Sequence, residues 1–290
     1  MVSIARHRLM ISVAIAGGTV FGLLVLFLSG VWLLQEKIAF QPERGPYPLD
    51  AGIPRVEYVA SDGQKLFAYI VRNAESSGGL LIAFHGNADL AIRQVEWATE
   101  VTTRTGVAVM LPEYRGYMGL PGKPTYEGSR HDAEAAYRYA IDSLRFSPAR
   151  IAFFGHSLGT AIAAELAERH EPAALILQSP FTSAREMFAI VIGHTPAEFT
   201  WNTVARLHFD TRAKVASLDA PVSVAHGDTD RIIPSRMGQS VFDAARVTGE
   251  WLLVPGASHN DVEQRGGERY WRWLVSALAP LSATRSGETR

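Results

Sequence analysis

Gly155-His156-Ser157-Leu158-Gly159 places a hydroxyl between two glycines, where the apolar run Ile151–Phe154 gives way to a small-residue helical pattern, Thr160–Arg169. A strand, a tight turn and a helix in that order form the setting of a nucleophilic serine. Glycine suits both flanks, because a Cβ there would meet the neighbouring strand or helix. A serine hydroxyl is a weak nucleophile at neutral pH and needs a base. In the chain order of this turn the acid follows the serine and the histidine comes last. The stretches "VSVAHGDTDRIIP" and "LLVPGASHNDV" each come just after a strand-like run and supply both groups. His259 is the one histidine beyond a late strand and beyond a candidate acid, whereas His226 precedes the acids and reads as a strand-end residue. Asp228 and Asp230 compete as the acid that would orient the imidazole, and position alone barely separates them.

Acyl transfer also needs donors for a developing oxyanion. The backbone N–H of Leu158 sits at a helix N-terminus, where partial positive charge favours an anion. A second donor should come from the loop after an early strand, and "LLIAFHGNA" offers the backbone N–H of Asn87, with Gly86 allowing close approach. The plain alternatives are a capping serine in a glycine turn and a surface histidine. The chain has no cysteine, which excludes disulfides, thiolate metal sites and a cysteine nucleophile. Its formal net charge of −1 gives no sign of nucleic-acid binding. No H-E-x-x-H, Walker or dinucleotide glycine pattern is present, so neither metal nor cofactor is expected and a metal-dependent phosphatase is disfavoured.

The elements that must position these residues alternate. Strand-like runs cover Val56–Ala60, Leu66–Val71, Leu80–Phe84, Val107–Leu111, Ile151–Phe154, Ala174–Leu177, Val222–Ala225 and Trp251–Val254. Helical patterns cover Ala91–Thr103, Asp132–Leu144, Thr160–Arg169, Arg236–Val247 and Glu268–Leu278. The first two strands flank "SDG" and read as a hairpin, and the later ones are continuously apolar, as parallel strands covered on both faces are. The alternation predicts one doubly wound, mostly parallel α/β sheet. Residues 181–214 break it with a helical excursion carrying Met187, Phe188, Phe199 and Trp201, which reads either as an excursion with its own packing or, the expectation favoured, as a cap that lines the site.

Ahead of the sheet, Leu9–Leu34 carries no charge and would span roughly 39 Å as a helix, against about 30 Å of hydrocarbon. "WLLQEKIAF" offers no A-x-A cleavage pattern, which favours an uncleaved anchor over a signal peptide. Arg6 and Arg8 precede the run, while Glu36 and Lys37 cancel behind it, so the N-terminus is expected in the cytoplasm and the main domain on the opposite, extracytoplasmic side. The expected organisation is a cytoplasmic N-terminus (1–8), a transmembrane signal-anchor helix (9–34), a proline-rich linker (35–54), an α/β domain (55–280) with its cap (181–214), and a disordered tail (281–290).

With these residues in place, the chain resembles the α/β-hydrolase superfamily, and more narrowly the membrane-anchored serine hydrolases whose relatives include protein depalmitoylases. The resemblance rests on "FHGNA", "EYRGYMGLPGKPTYEG", "RIAFFGHSLGTAIAAELA", "LILQSPFTS", "HGDTDRIIP" and "GASHNDV", and runs from about residue 56 to 278. It implies the α/β-hydrolase fold and a Ser157–Asp230–His259 triad. The family pattern is histidine, glycine, two variable residues, aspartate, then proline four on, which selects Asp230 over Asp228. It assigns the oxyanion hole to Asn87 and Leu158, and gives Tyr114–Tyr117 a structural role in which Arg115 braces loops. Asp89 and Met118 depart from the pattern, standing where relatives often carry glycine. The implied activity is hydrolysis of an ester or thioester on an acyl-bearing small molecule, lipid or acylated protein, through an acyl-enzyme. A peptidase or amidase on the same scaffold and a non-catalytic membrane-tethered binding module are the alternatives. Oligomeric state is left open.

Overall fold

The computed structural model describes residues 2–43, 45, 52–73 and 78–282. The tail expected at 281–290 lies outside these from 283 onward, as do residues 44 and 46–51 of the expected linker. Eight strands form one sheet: β1 (Arg55–Val59), β2 (Lys65–Val71), β3 (Leu80–Phe84), β4 (Ala108–Pro112), β5 (Ile151–His156), β6 (Leu175–Gln178), β7 (Val222–Gly227) and β8 (Thr248–Val254). Their spatial order is β1-β2-β4-β3-β5-β6-β7-β8, with β2 antiparallel to both β1 and β4 and the rest parallel. Every residue of β3 and β4 is buried, which explains their unbroken apolar sequences.

The order positions the site. From β3 the chain crosses to β4 on one side, then returns to place β5 on the other side of β3. Neighbouring strands whose connections leave in opposite directions open a crevice at their C-terminal ends. Loop Gly86–Asp89 leaves one of these strands and Ser157 leaves the other.

The helices are α1 (Val2–Ala39), α2 (Val95–Thr105), α3 (Tyr126–Asp142), α4 (Leu158–Arg169), α5 (Ala184–Ile192), α6 (His194–Val204), α7 (Thr211–Val215), α8 (Ser235–Ala244), α9 (Val262–Gly266), α10 (Glu268–Ala277) and α11 (Ala279–Ser282). α4 packs against β3, β5 and β6, and its small residues from Gly159 to Ala164 are buried. α3 begins six residues before the apolar periodicity does, because Thr125 Oγ1 accepts the Gly128 N–H at 2.9 Å and caps a polar first turn. Leu281, expected in the tail, is buried instead, and its carbonyl accepts the Arg150 guanidinium.

α1 is long and apolar enough from Arg6 to Ala39 to cross a membrane, and its apolar window is unburied. Its C-terminal end is fixed to the domain. Gln35 donates from Nε2 to Val204 O at 2.8 Å and accepts the Arg206 N–H at 2.7 Å. Arg206 also pairs with Glu36 at 2.7 Å.

Candidate active site

Ser157 joins β5 to α4 at φ 52°, ψ −116°, a conformation that L residues rarely adopt. Its backbone is held there from both sides: the Ser157 N–H donates to Gln178 O, and Ser157 O accepts the Thr160 N–H, each at 3.0 Å. Space enforces the turn. A Cβ at Gly155 would strike the Gly159 carbonyl, and one at Gly159 would strike the Phe84 carbonyl. The hydroxyl therefore projects at the sheet's C-terminal edge.

The three side chains separated along the sequence meet there. Ser157 Oγ lies 2.8 Å from His259 Nε2, and His259 Nδ1 lies 2.7 Å from Asp230 Oδ2. An imidazole that donates from Nδ1 to a carboxylate presents its Nε2 lone pair to the hydroxyl, the tautomer a general base requires. Asp230 Oδ1 accepts the N–H groups of Ile232 and Ile233 at 2.8 and 2.9 Å. Burial pulls the Asp230 pKa upward, but hydrogen bonds from His226, His259 and the Ile233 N–H outweigh it and hold the carboxyl well below the usual range.

The competing Asp228 does something else. Its Oδ1 accepts the Gly256 N–H at 2.7 Å, while Thr229 donates from N and Oγ1 to Ala257 O at 3.0 and 2.8 Å. These bonds tie the loop after β7 to the loop after β8, which aligns Asp230 with His259. His226, read from sequence as a strand-end residue, is fully buried beneath the acid. Its Nε2 lies 2.9 Å from Ile233 O and 3.2 Å from Asp230 Oδ2. Nothing local in the sequence marks that contact.

On the opposite wall, Asn87 is held by its own side chain. Its Oδ1 accepts the Gln41 N–H at 2.7 Å and the Tyr117 hydroxyl at 2.8 Å. The segment leaving α1 thus touches the loop expected to stabilise an oxyanion, and Gln41 was not singled out from sequence. The preceding His85 presents both ring nitrogens to acceptors, Gly86 O at 2.8 Å and Glu113 Oε1 at 2.9 Å. Burial opposes charge on this ring, yet the Glu113 carboxylate raises its pKa. Among the described residues, neither the Asn87 nor the Leu158 N–H donates to a protein acceptor. Arg115 reaches Asp62 and Asp132 at 2.6 and 2.7 Å, bracing "YRGY". Met118 takes φ 49°, which explains why glycine fits there.

A cavity of about 1260 Å³ opens over Ser157 and His259. One part of its wall is aromatic, with Trp97, Phe154 and Trp271; another is acidic, with Asp89, Glu96, Glu100 and Glu263. Residues 181–214 take no part in this lining, contrary to the expected cap over the site. Their apolar side chains are used elsewhere: Phe188 meets Trp201 at 5.9 Å, Met187 and Trp201 pack on the core, and α6 packs on α1. Among the described residues, no three His, Asp or Glu side chains are grouped to hold a metal ion.

Residues 75–208 match the family described as serine aminopeptidase, S33. An uncharacterized protein of Mycobacterium tuberculosis is 35% identical over 274 residues, covering 91% of this chain and 93% of that one. Human alpha/beta hydrolase domain-containing protein 17B is 29% identical, covering 76% of this chain and 75% of its own. Among solved structures, a Pyrococcus furiosus esterase superposes with a TM-score of 0.67 at 19% identity, covering 84% of this chain and 99% of that one. A bacterial heroin esterase gives 0.63 at 20% identity, covering 83% and 87%.

Proposed function

The chain belongs to the α/β-hydrolase superfamily, and from that premise we propose that it is a membrane-anchored serine hydrolase that cleaves carboxylic ester or thioester bonds of an acyl substrate. The carrying observation is the continuous line from Ser157 Oγ through His259 to Asp230, at 2.8 and 2.7 Å. His259 Nε2 takes the hydroxyl proton as Ser157 Oγ attacks the acyl carbon. The N–H groups of Leu158 and Asn87 receive the oxyanion. His259 returns the proton to the leaving alcohol or thiol, then takes one from the water that releases the acid. Asp230 stays ionised and holds the ring. Trp97, Phe154 and Trp271 offer an acyl chain an apolar surface. The α1 helix supports presentation at a bilayer, and Arg6 and Arg8 favour a cytoplasmic N-terminus.

Ser157→Ala is expected to lower kcat on a p-nitrophenyl acyl ester by about 10⁴-fold or more. Near-normal turnover would overturn the mechanism.

One observation favours an amidase acting on a cationic substrate. Glu96, Glu100 and Glu263 line the cavity, and burial together with the other two carboxylates raises the Glu263 pKa. A protonated amine would relieve that repulsion. Comparing an acyl-ester chain-length series with aminoacyl amides separates the two substrates.

A further inference from the structure

We infer that the α5–α6 hairpin is a second membrane-contact surface, with Ile190, Val191 and Phe199 seated at the headgroup–acyl boundary of the bilayer that α1 crosses. The inference rests on the proposal that α1 is an anchor. The three side chains are 49%, 80% and 54% exposed, on helices whose opposite faces bury Ala189, Ala197 and Thr200. Such a face lacks a partner among the described residues.

The junction with α1 supplies the partner. α1 packs on α6, and Gln35 is bonded at both ends of its amide, to Val204 O and the Arg206 N–H. Arg206 adds its pair with Glu36 and lies 5.0 Å over the Trp32 ring. Phe40 continues the junction against Phe209. These contacts prevent α6 from swinging away from the end of α1. Trp32 lies two residues from the end of the apolar run, and a tryptophan near such an end sits at the membrane–water interface. Leu28, Val31 and Gln35 share one helical face and are less exposed than Phe27 and Trp32. Because Gln35 follows the last residue of the membrane-crossing run, Leu34, the end of α6 bonded to it stands at the membrane boundary. His194 and Glu198 are exposed on the same hairpin, which sets its depth at the headgroups rather than in the hydrocarbon. The partner is therefore the lipid surface. The excursion that does not roof the cavity instead holds the domain against the membrane.

The chain has no cysteine, so single-cysteine variants of the full-length protein report cleanly. Val191→Cys and Phe199→Cys carry an environment-sensitive fluorophore after reconstitution into vesicles of phosphatidylcholine and phosphatidylglycerol. Val275→Cys on α10 is the water-facing reference and Val25→Cys the anchor reference. Retained ester turnover shows that each labelled variant is folded. A shallow lipid-borne nitroxide is expected to quench positions 191 and 199 at least about threefold more than 275, with aqueous iodide showing the reverse order. Iodide access at 191 and 199 equal to that at 275 overturns the inference. So does shielding from both quenchers, which would indicate a protein partner or a second copy. If position 25 also escapes a nitroxide carried deep on the acyl chain, the anchor proposal falls with it. If 25 is quenched and 191 and 199 are not, the anchor stands and this inference alone fails.

Discussion

Asp230 Oδ2 stands between two imidazoles, His259 at 2.7 Å and His226 at 3.2 Å, while Oδ1 is occupied by two backbone N–H groups. A carboxylate held on both oxygens cannot rotate, so the His259 ring cannot drift from Ser157. Charge and shape are separable here. Asp230→Asn keeps the shape, removes the charge and favours the wrong imidazole tautomer. Its kcat on a p-nitrophenyl ester is expected to fall about 10⁴-fold with little change in KM. A rise in KM with kcat unchanged would mean that the carboxylate serves binding. Ser157 and His259 were legible because each lies in a short local pattern with a required order, whereas Asp230 was separated from Asp228 only by the family resemblance. His226 and Gln41 were not legible. One acts through a contact across a buried turn, the other through a backbone N–H whose side chain is irrelevant. Asp228 and Asp230 differ only in which loop each faces, and spacing does not encode that.

Among the elements, the β5–α4 junction is the most constrained. A Cβ at Gly159 would lie against the carbonyls of Phe84 and His85, and backbone cannot yield cheaply. Gly159→Ala is expected to cost about 1–3 kcal/mol. Each kcal/mol should lower Tm by roughly 2–4 °C in calorimetry. An unchanged Tm would show that the close approach of α4 to β3 is not obligatory. The loop after β3 is held more lightly. Tyr117→Phe removes one of two donors to Asn87 Oδ1 and leaves the Gln41 N–H. It is expected to lower kcat about 3- to 10-fold while leaving KM in place, as loss of one neutral hydrogen bond would. All eight strands were legible, the buried parallel ones as apolar runs and the antiparallel β1 and β2 as a hairpin about "SDG". The use of 181–214 was not, because an apolar helix face does not say whether it covers a cavity, a core or a lipid surface.

At the scale of the molecule, proton uptake on unfolding links the site to stability. Desolvation at the sheet end and the neighbouring His259 push the His156 pKa down to about 4, against about 6.5 in an unfolded chain. The unfolded state therefore binds a proton that the folded state refuses. Stability from this residue falls as pH drops from about 6.5 to about 4 and levels off below. Asp230 works in a separate window: its depressed folded pKa contributes stability that is present above about 3.9 and lost at lower pH. Replacing His156 by Gln should thus narrow the Tm loss between about pH 6.5 and pH 4 relative to the parent chain, with no further divergence below. A constant Tm difference across that window would contradict the linkage. The convergence of Ser157, Asp230 and His259 from three distant parts of the chain is the central claim, and covalent labelling tests it most directly. A fluorophosphonate probe followed by peptide mapping should place one adduct on Ser157, lose it in Ser157→Ala, and form it far more slowly in His259→Ala. An adduct at another residue, or labelling of Ser157 at the parent rate without His259, would contradict the account.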